Sequence, residues 1–387
     1  MSGPGTARGA RSALLEPHPA DPPGCRACRG PELVTVLDLG AMPAADHFPP
    51  AATAPRPDEA AHPLAMVICR DCGLAQLARD DTVTAEPRGV EPRALREQAA
   101  DAVRRVAGAG LLRGRTVREF ASPHGGSWLE LLAERGFAVS AGPTDVVLDS
   151  FGLMHERDQA AAVAQRAAAT APAGVLLVQY HPLHTIVTHG QWNALRHGHF
   201  AYYSLAVLSD LLRGAGMSVV DAWDFDLYGG TVLLAAVHGA AEPDDAVQRI
   251  LAREEEIADP VVLGGLQRSA DRHAGSLRAT LESAAARGER VYAYGAASRA
   301  VALFCRARVD RDLLAGVADA SPAKQGRRMP GTDVPIIAPA DLVAARPDRV
   351  LLTVPDLLPE VSERFPELAG RWFVDEPADP LRERPIR

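Results

Sequence analysis

Four of the five cysteines stand in two matched pairs, Cys25-Arg-Ala-Cys28 and Cys69-Arg-Asp-Cys72. Two residues between thiols let both sulfurs of a pair face one ion, and Gly73 relieves the turn after the second pair. Four thiolates close a tetrahedral shell, the donor set of structural rather than catalytic zinc. Neither pair opens a helix after a strand, which argues against a redox dithiol. Cys305, alone in AVALFCRARV, reads as a core thiol. A second concentration of chemistry is histidine. His181, His184, His189, His197 and His199 fall within 19 residues, out of 12 histidines in all. Such a cluster can bind a transition metal, or it can be drift in a polar loop beside an old active site; drift is the preferred reading. The third oddity is Lys324, the one lysine among 41 basic residues. A compact ammonium differs from a guanidinium fork in size and hydrogen-bond geometry. Its setting, SPAKQGRRMPGT, suggests contact with an anion such as a nucleotide phosphate.

The elements that must position these residues can be read from hydrophobic pattern. Strand-like runs at 116–120, 137–141, 145–151 and 174–180 alternate with helical patterns near 92–110, 127–135, 157–171 and 204–215. Continuous apolar strands between amphipathic helices predict βα units around a parallel sheet. A charged helical stretch from Asp244 to Arg287 should link or pack the domains. RVYAYGAAS, LLAGVADAS, VPII and RVLLTVP then restart the βα pattern.

The bulk numbers narrow the function classes. The 47% apolar and 23% charged fractions are those of an ordinary globular protein, and 387 residues suffice for two or three domains. The formal charge of -8 argues against nucleic acid or an anionic membrane as partner. No apolar run is long enough to span a membrane. The first 22 residues lack the apolar segment of a secretory signal and read as a disordered lead-in. Cytoplasmic residence is the expectation, where cysteines stay reduced.

Three motifs then carry a resemblance, in order along the chain. CRACRGPELVTVLDLGAMPAADHF…HPLAMVICRDCGLAQL resembles the N-terminal zinc-binding domain of the C-methyltransferases that make branched deoxysugars. ALRHGHFAYYSLAVL…DLYGGT is similar to a family region reading approximately YHEH, YFSL and a Gly-Gly-Ser turn. YAYGAASRAVAL…VADASPAKQGRRMPGTDVPII is similar to the family's C-terminal domain. The resemblance implies an α/β fold with an N-terminal zinc module, a Rossmann-like methyltransferase domain with a shortened sheet, and a second Rossmann-like C-terminal domain. The expected boundaries are a lead-in over 1–22, zinc module 23–85, methyltransferase-like domain 90–240, helical linker 244–287 and C-terminal domain 288–387. It implies transfer of a methyl group from S-adenosylmethionine to the carbon beside the ketone of a nucleotide-linked sugar, in natural-product biosynthesis.

The sequence departs from that pattern at the chemistry. A methyl-donor site needs a glycine turn after the first strand and an acid ending the second, to grip the ribose hydroxyls. The turn keeps Gly125 and Gly126, with His124 and Ser127 beside them. The acid's position holds Ala141-Gly142, and the third strand is missing. Either Asp145 or Asp149 substitutes, or the donor binds weakly or not at all; the second is the expectation. YHEH has become Arg196-His197-Gly198-His199. His199 matches the histidine proposed to take the proton beside the ketone, with His197 and Arg196 next to it. Arg196 could stabilise an enolate but could not donate a proton as a tyrosine can. Tyr180, His181, Tyr228, Lys324 and Arg327 are the candidate substrate contacts. The leading reading is a C-methyltransferase-family protein acting on a nucleotide-linked ketodeoxysugar with a degraded donor site. One alternative is a donor-independent enzyme that epimerises, dehydrates or rearranges its substrate through His199, with or without a metal; another is a non-catalytic partner of a pathway enzyme. The oligomeric state is left open.

Overall fold

The computed structural model describes residues 23–56, 59–82, 91–123, 125–375 and 377. The lead-in expected over 1–22, and His124 of the donor turn, lie outside the described residues. The first unit is an antiparallel meander, β1 (Leu33–Met42), β2 (His62–Cys69) and β3 (Ala75–Leu77). The cysteine pairs flank it, one ahead of β1 and one in the turn from β2 to β3.

The second unit runs α1 (Arg93–Gly108), β4 (Thr116–Phe120), α2 (Leu129–Ala133), β5 (Ala138–Val139), β6 (Thr144–Ser150), α3 (Gln159–Ala169), β7 (Thr170–Tyr180), α4 (Leu183–Thr188), β8 (Ala201–Tyr202), α5 (Leu205–Gly214), β9 (Met217–Phe225) and β10 (Thr231–His238). Its sheet order is β5-β4-β6-β7-β10-β9. The first four strands are parallel, and β10 is antiparallel to both its neighbours. β6 and the end of β7 are apolar on both faces because helices cover both, as a parallel sheet requires. β5 is only two residues long and exposed at the sheet edge, and the chain passes from it to β6 without another strand. β9 and β10, which the hydrophobic pattern did not single out, complete the sheet.

The third unit contains α6 (Asp245–Arg253), α7 (Pro260–Leu263), α8 (Gly265–Ala286), β11 (Val291–Tyr294), α9 (Ser298–Arg306), β12 (Val317–Ala318), β13 (Ile336–Ile337), α10 (Pro339–Ala345), β14 (Arg349–Leu352), α11 (Leu358–Arg364) and β15 (Trp372–Phe373). Its order, β13-β12-β11-β14-β15, is parallel throughout. The helical stretch 244–287 is more than a connection. Leu266, Ala270, Ala274, Leu277, Leu281 and Ala284 of α8 recur at helical spacing and are buried together.

The cysteine module is wedged between the other two units. Leu37, Met66 and Ile68 of its strands share one hydrophobic cluster with Leu277 and Leu281 of α8 and Ala293 of β11. Cys25, Cys69 and Leu74 share another with Leu205 and Leu208 of α5. β8 leaves the second unit to pair antiparallel with β3, with Ala75 opposite Tyr202. A small sheet with few core residues of its own is thus held by burial against both larger units.

Candidate metal centre and active-site cleft

The four paired cysteines converge. Cys25 Sγ lies 3.5 Å from Cys72 Sγ, and Cys28 Sγ lies 3.6 Å from Cys69 Sγ. All four sulfurs fall within 4.8 Å of one another. A tetrahedral ion at about 2.3 Å from each sulfur fits such a shell. Each pair lies in a tight knuckle: Arg29 N donates to Cys25 O and Gly73 N to Cys69 O, at 3.0 Å each. Gly73 sits at φ +76°, where a side chain would be strained. Ala27 N and Gly30 N point at Cys25 Sγ and Cys28 Sγ, each at 3.4 Å. The Cys72 thiol's hydrogen bond holds Cys25 down to about 5, whereas burial pushes Cys69 up to about 11. A cation resolves that conflict, because it draws all four thiols into the thiolate form. Among the described residues these cysteines are the one group of three or more His, Cys, Asp or Glu side chains brought so close. The five clustered histidines are divided by the fold.

A cleft of about 300 Å³ opens between the second and third units. Both sheets present their carboxyl ends to it, where open α/β sheets bind ligands. From the central unit come Ser122, Pro123 and Gly125 after β4, Phe151 and Met154 after β6, and His181 after β7. From the third unit come Gly295–Arg299 after β11, Asp319 after β12 and Val354 after β14. Gly295, at φ +96°, is obligatory: a Cβ there would stand 2.6 Å from Thr353 Oγ1.

His199, Arg196, His181, Tyr228, Lys324 and Gly125 all line this cleft. The loop carrying Arg196 and His199 is held by the cysteine module. Buried Asp80 accepts from Gly198 N at 2.7 Å, Leu77 N donates to Phe200 O at 3.2 Å, and Phe200 N donates to Met154 O at 2.7 Å. Gly198 takes φ +78°, so glycine suits this turn better than glutamate would. The His199 ring packs edge-on against His155 at 4.6 Å, and His155 Nδ1 lies 2.9 Å from Gly198 O. Arg196 Nη1 donates to Ser298 Oγ across the cleft. Burial, then Arg299 and Arg196, hold His181 down to about 3, leaving a neutral imidazole at physiological pH. Phe151 and Tyr228 sit at φ +59° and +57°, with ring centroids 6.0 Å apart. Non-glycine residues in that region carry about 1–3 kcal/mol of strain each, a pattern concentrated at binding sites.

Other expected residues fall elsewhere. His197 turns to the cysteine module, its Nε2 3.2 Å from Pro63 O and its ring 5.7 Å from His62. Tyr180 is buried in the central core against Tyr203. Arg327 Nη1 donates to Phe48 O at 2.7 Å, tying the third unit to the cysteine module. Lys324 lines the cleft, but its Nζ donates to Ala296 O at 2.9 Å and sits over the Phe48 ring. Gly126, at φ +87°, packs against Leu95 beside the cleft. His184 lies on α4 and His189 at its end.

Three carboxylates come into question for the donor, and each is committed. Asp145 Oδ2 accepts from Arg115 N, Thr116 N and Thr116 Oγ1 at 2.7–2.9 Å, at the start of β6 and the far end of the sheet from the cleft. Asp149 is fully buried, paired with Arg166 Nε at 2.8 Å and accepting from Gly152 N and Leu153 N. Glu119, which the motif reading passed over, accepts from Ser127 Oγ at 2.6 Å and Trp128 N at 2.8 Å, closing the glycine turn. Ala141 and Gly142 are exposed, and a Cβ on Gly142 would meet nothing within 4 Å.

Two family models match this chain. Residues 25–86 match "Putative zinc binding domain", and residues 226–375 match the C-methyltransferase C-terminal domain. The chain is thus similar to C-methyltransferases in its N-terminal and C-terminal parts. A curated relative, C-methyltransferase NovU of Streptomyces niveus, is 29% identical over 214 residues, covering 54% of this chain. The alignment spans about half the length of that relative (51%). Among solved structures, magnesium protoporphyrin IX methyltransferase of Synechocystis PCC 6803, crystallised with SAH, is similar at TM-score 0.31 and 15% identity, over 38% of this chain and 85% of the other. The CcbJ methyltransferase of Streptomyces caelestis gives 0.29 and 14%, over 41% and 100%. No helix among the described residues is long and apolar enough to cross a membrane.

Sequence reasoning missed Arg299, Phe151, Asp80 and Glu119. Arg299 was open to detection, since it follows the glycine turn after β11, where ligands meet a parallel sheet. Asp80 carries no local signal; its role depends on β8 crossing to β3.

Proposed function

We propose that the cleft binds a nucleotide-linked ketodeoxysugar or a similar substrate, as a natural-product pathway would supply. In this reading the cysteines hold one structural zinc, and S-adenosylmethionine binds weakly or not at all. The carrying observation is a contrast: His199 and Arg196 line the cleft, whereas the candidate donor carboxylates Glu119, Asp145 and Asp149 lie outside its lining and are committed to backbone amides, hydroxyls and Arg166. His199 takes the proton from the carbon beside the ketone, and the negative charge on the enolate oxygen faces the Arg196 guanidinium. Return of a proton to the same carbon completes exchange or epimerisation with no further reactant. A methyl donor, when bound, would supply the electrophile that the same enolate attacks.

The test is deuterium incorporation beside the ketone of a nucleotide-linked ketosugar in D₂O, without S-adenosylmethionine. Incorporation by the wild type and none by His199→Ala supports the reading. No incorporation by the wild type, with the sugar nucleotide bound, would favour a non-catalytic partner instead.

A further inference from the structure

Arg196 and Arg299 form a like-charge pair that the family motif does not require. Arg196 comes from the loop before β8, and Arg299 from the first turn of α9. Arg196 Nη1 donates to Ser298 Oγ, next to Arg299 in sequence, and both arginines line the same cleft. Arg196 Nε is buried with no hydrogen-bond partner among the described residues. Arg299 makes no hydrogen bond or ion pair to a described residue. Burial, and Arg196 next, lower the Arg299 pKa. Nearby groups supply little relief. Asp319 accepts from Ala296 N and Ser321 N at 2.7 Å each, and Asp356, the acid that faces Arg299, accepts from Tyr228 N at 3.2 Å. Lys324 is turned to Ala296 O. His181, between the two arginines electrostatically, is neutral. Two desolvated cations side by side are costly unless an anion joins them.

We infer that Arg196 and Arg299 together form an oxyanion subsite for a phosphate or carboxylate group of the ground-state substrate, in the cleft that His199 also lines. Guanidinium forks match both groups in a bidentate manner. The inference rests on the cleft being the substrate site, and it adds that the substrate carries an anionic group close to the reacting carbon.

The experiment is calorimetry on the full, zinc-loaded chain with inorganic phosphate, pyrophosphate, succinate and UDP as separate titrants. Arg299→Gln and Arg196→Gln are compared with the wild type, with melting curves as fold controls. Arg299→Lys, which keeps the charge and loses the fork, is a second variant. The subsite predicts saturable wild-type binding of phosphate, pyrophosphate or succinate, weakened about tenfold or more by either Gln substitution. Arg299→Lys should fall between. Preference for the phosphates or for succinate identifies the group. Binding equal in all variants, or none in the wild type, would overturn the subsite. UDP binding unchanged by the substitutions would do so while leaving the nucleotide-sugar reading intact. Arginine-dependent anion binding without deuterium exchange would keep the subsite and reject the catalytic reading.

Discussion

The two ends of the central sheet's neighbourhood differ in how their polar groups are used. At the cysteine end, four thiols from two distant segments meet within 4.8 Å, and the knuckle amides aim two N–H groups at the sulfurs. At the donor end, β5 is two residues long, and the carboxylates there, Glu119 and Asp149, already serve as local braces. One end is arranged around something outside the chain, and the other is closed on itself. The cysteine end also reaches the chemistry, because Asp80 and β8 fix the loop of Arg196 and His199. The cysteine module therefore bears on the cleft whether or not a donor binds.

The sharpest way to break the comparison is to remove the metal. Structural zinc contributes about 10–16 kcal/mol in isolated modules, comparable with the ~5–15 kcal/mol stability of a whole domain. Cys69→Ala, or a strong chelator, should abolish zinc in elemental analysis. It should also lower the melting temperature of the entire chain, since the module shares both neighbouring cores. A metal-free protein with an unaltered calorimetric transition would refute the structural role.

Next in size is His199→Ala. Removing a positioned base costs roughly 10²–10⁴-fold in rate. Deuterium exchange should fall by that amount while the melting curve stays near that of the wild type. Unchanged exchange would transfer the role to another cleft group, His181 first.

Lys324→Arg tests the lone lysine. The residue is 4% exposed, with its ammonium between Ala296 O and the Phe48 ring. A bulkier guanidinium should destabilise the chain by ~1–3 kcal/mol in urea titrations, as overpacking does, and weaken substrate binding. Unaltered stability and affinity would mean the lysine is incidental.

The smallest expected effect is a pH dependence. His181 titrates near 6.5 when unfolded and about 3 when folded. Its neutral form therefore adds stability that is present above pH 6.5 and is lost as pH falls toward 3. Between about pH 7 and pH 4 the wild type should lose more urea stability than His181→Gln. Parallel acid limbs would show that His181 is solvated and ionises freely.

Legibility followed the range of the physics involved. Cys25, Cys28, Cys69 and Cys72 were readable because two-residue spacing is a local constraint. β6, β7 and β11 were readable because parallel strands covered on both faces carry continuous apolar runs. β9 was missed because its mixed burial blurs the strand period, whereas β10, largely apolar and buried over Thr231–Ala236, carried a signal that was passed over. The absent strand after β5 was visible as a shortened interval between motifs. His197, Tyr180 and Arg327 were assigned by neighbourhood in sequence, and the fold turned each to a different face. No local pattern separates His197 from His199, two residues apart; β8 pairing with β3 decides it.

The contrast between the two ends rests on the donor site, and S-adenosylmethionine titration of the zinc-loaded chain addresses it directly. Each charge-assisted ribose contact that is missing removes about 1.5–3 kcal/mol, so one alone weakens binding about tenfold or more. With no acid at Ala141-Gly142 and no strand after β5, calorimetry should show no saturable heat at ordinary protein concentrations. A dissociation constant in the low micromolar range would contradict the account and restore an ordinary methyl-transfer reaction.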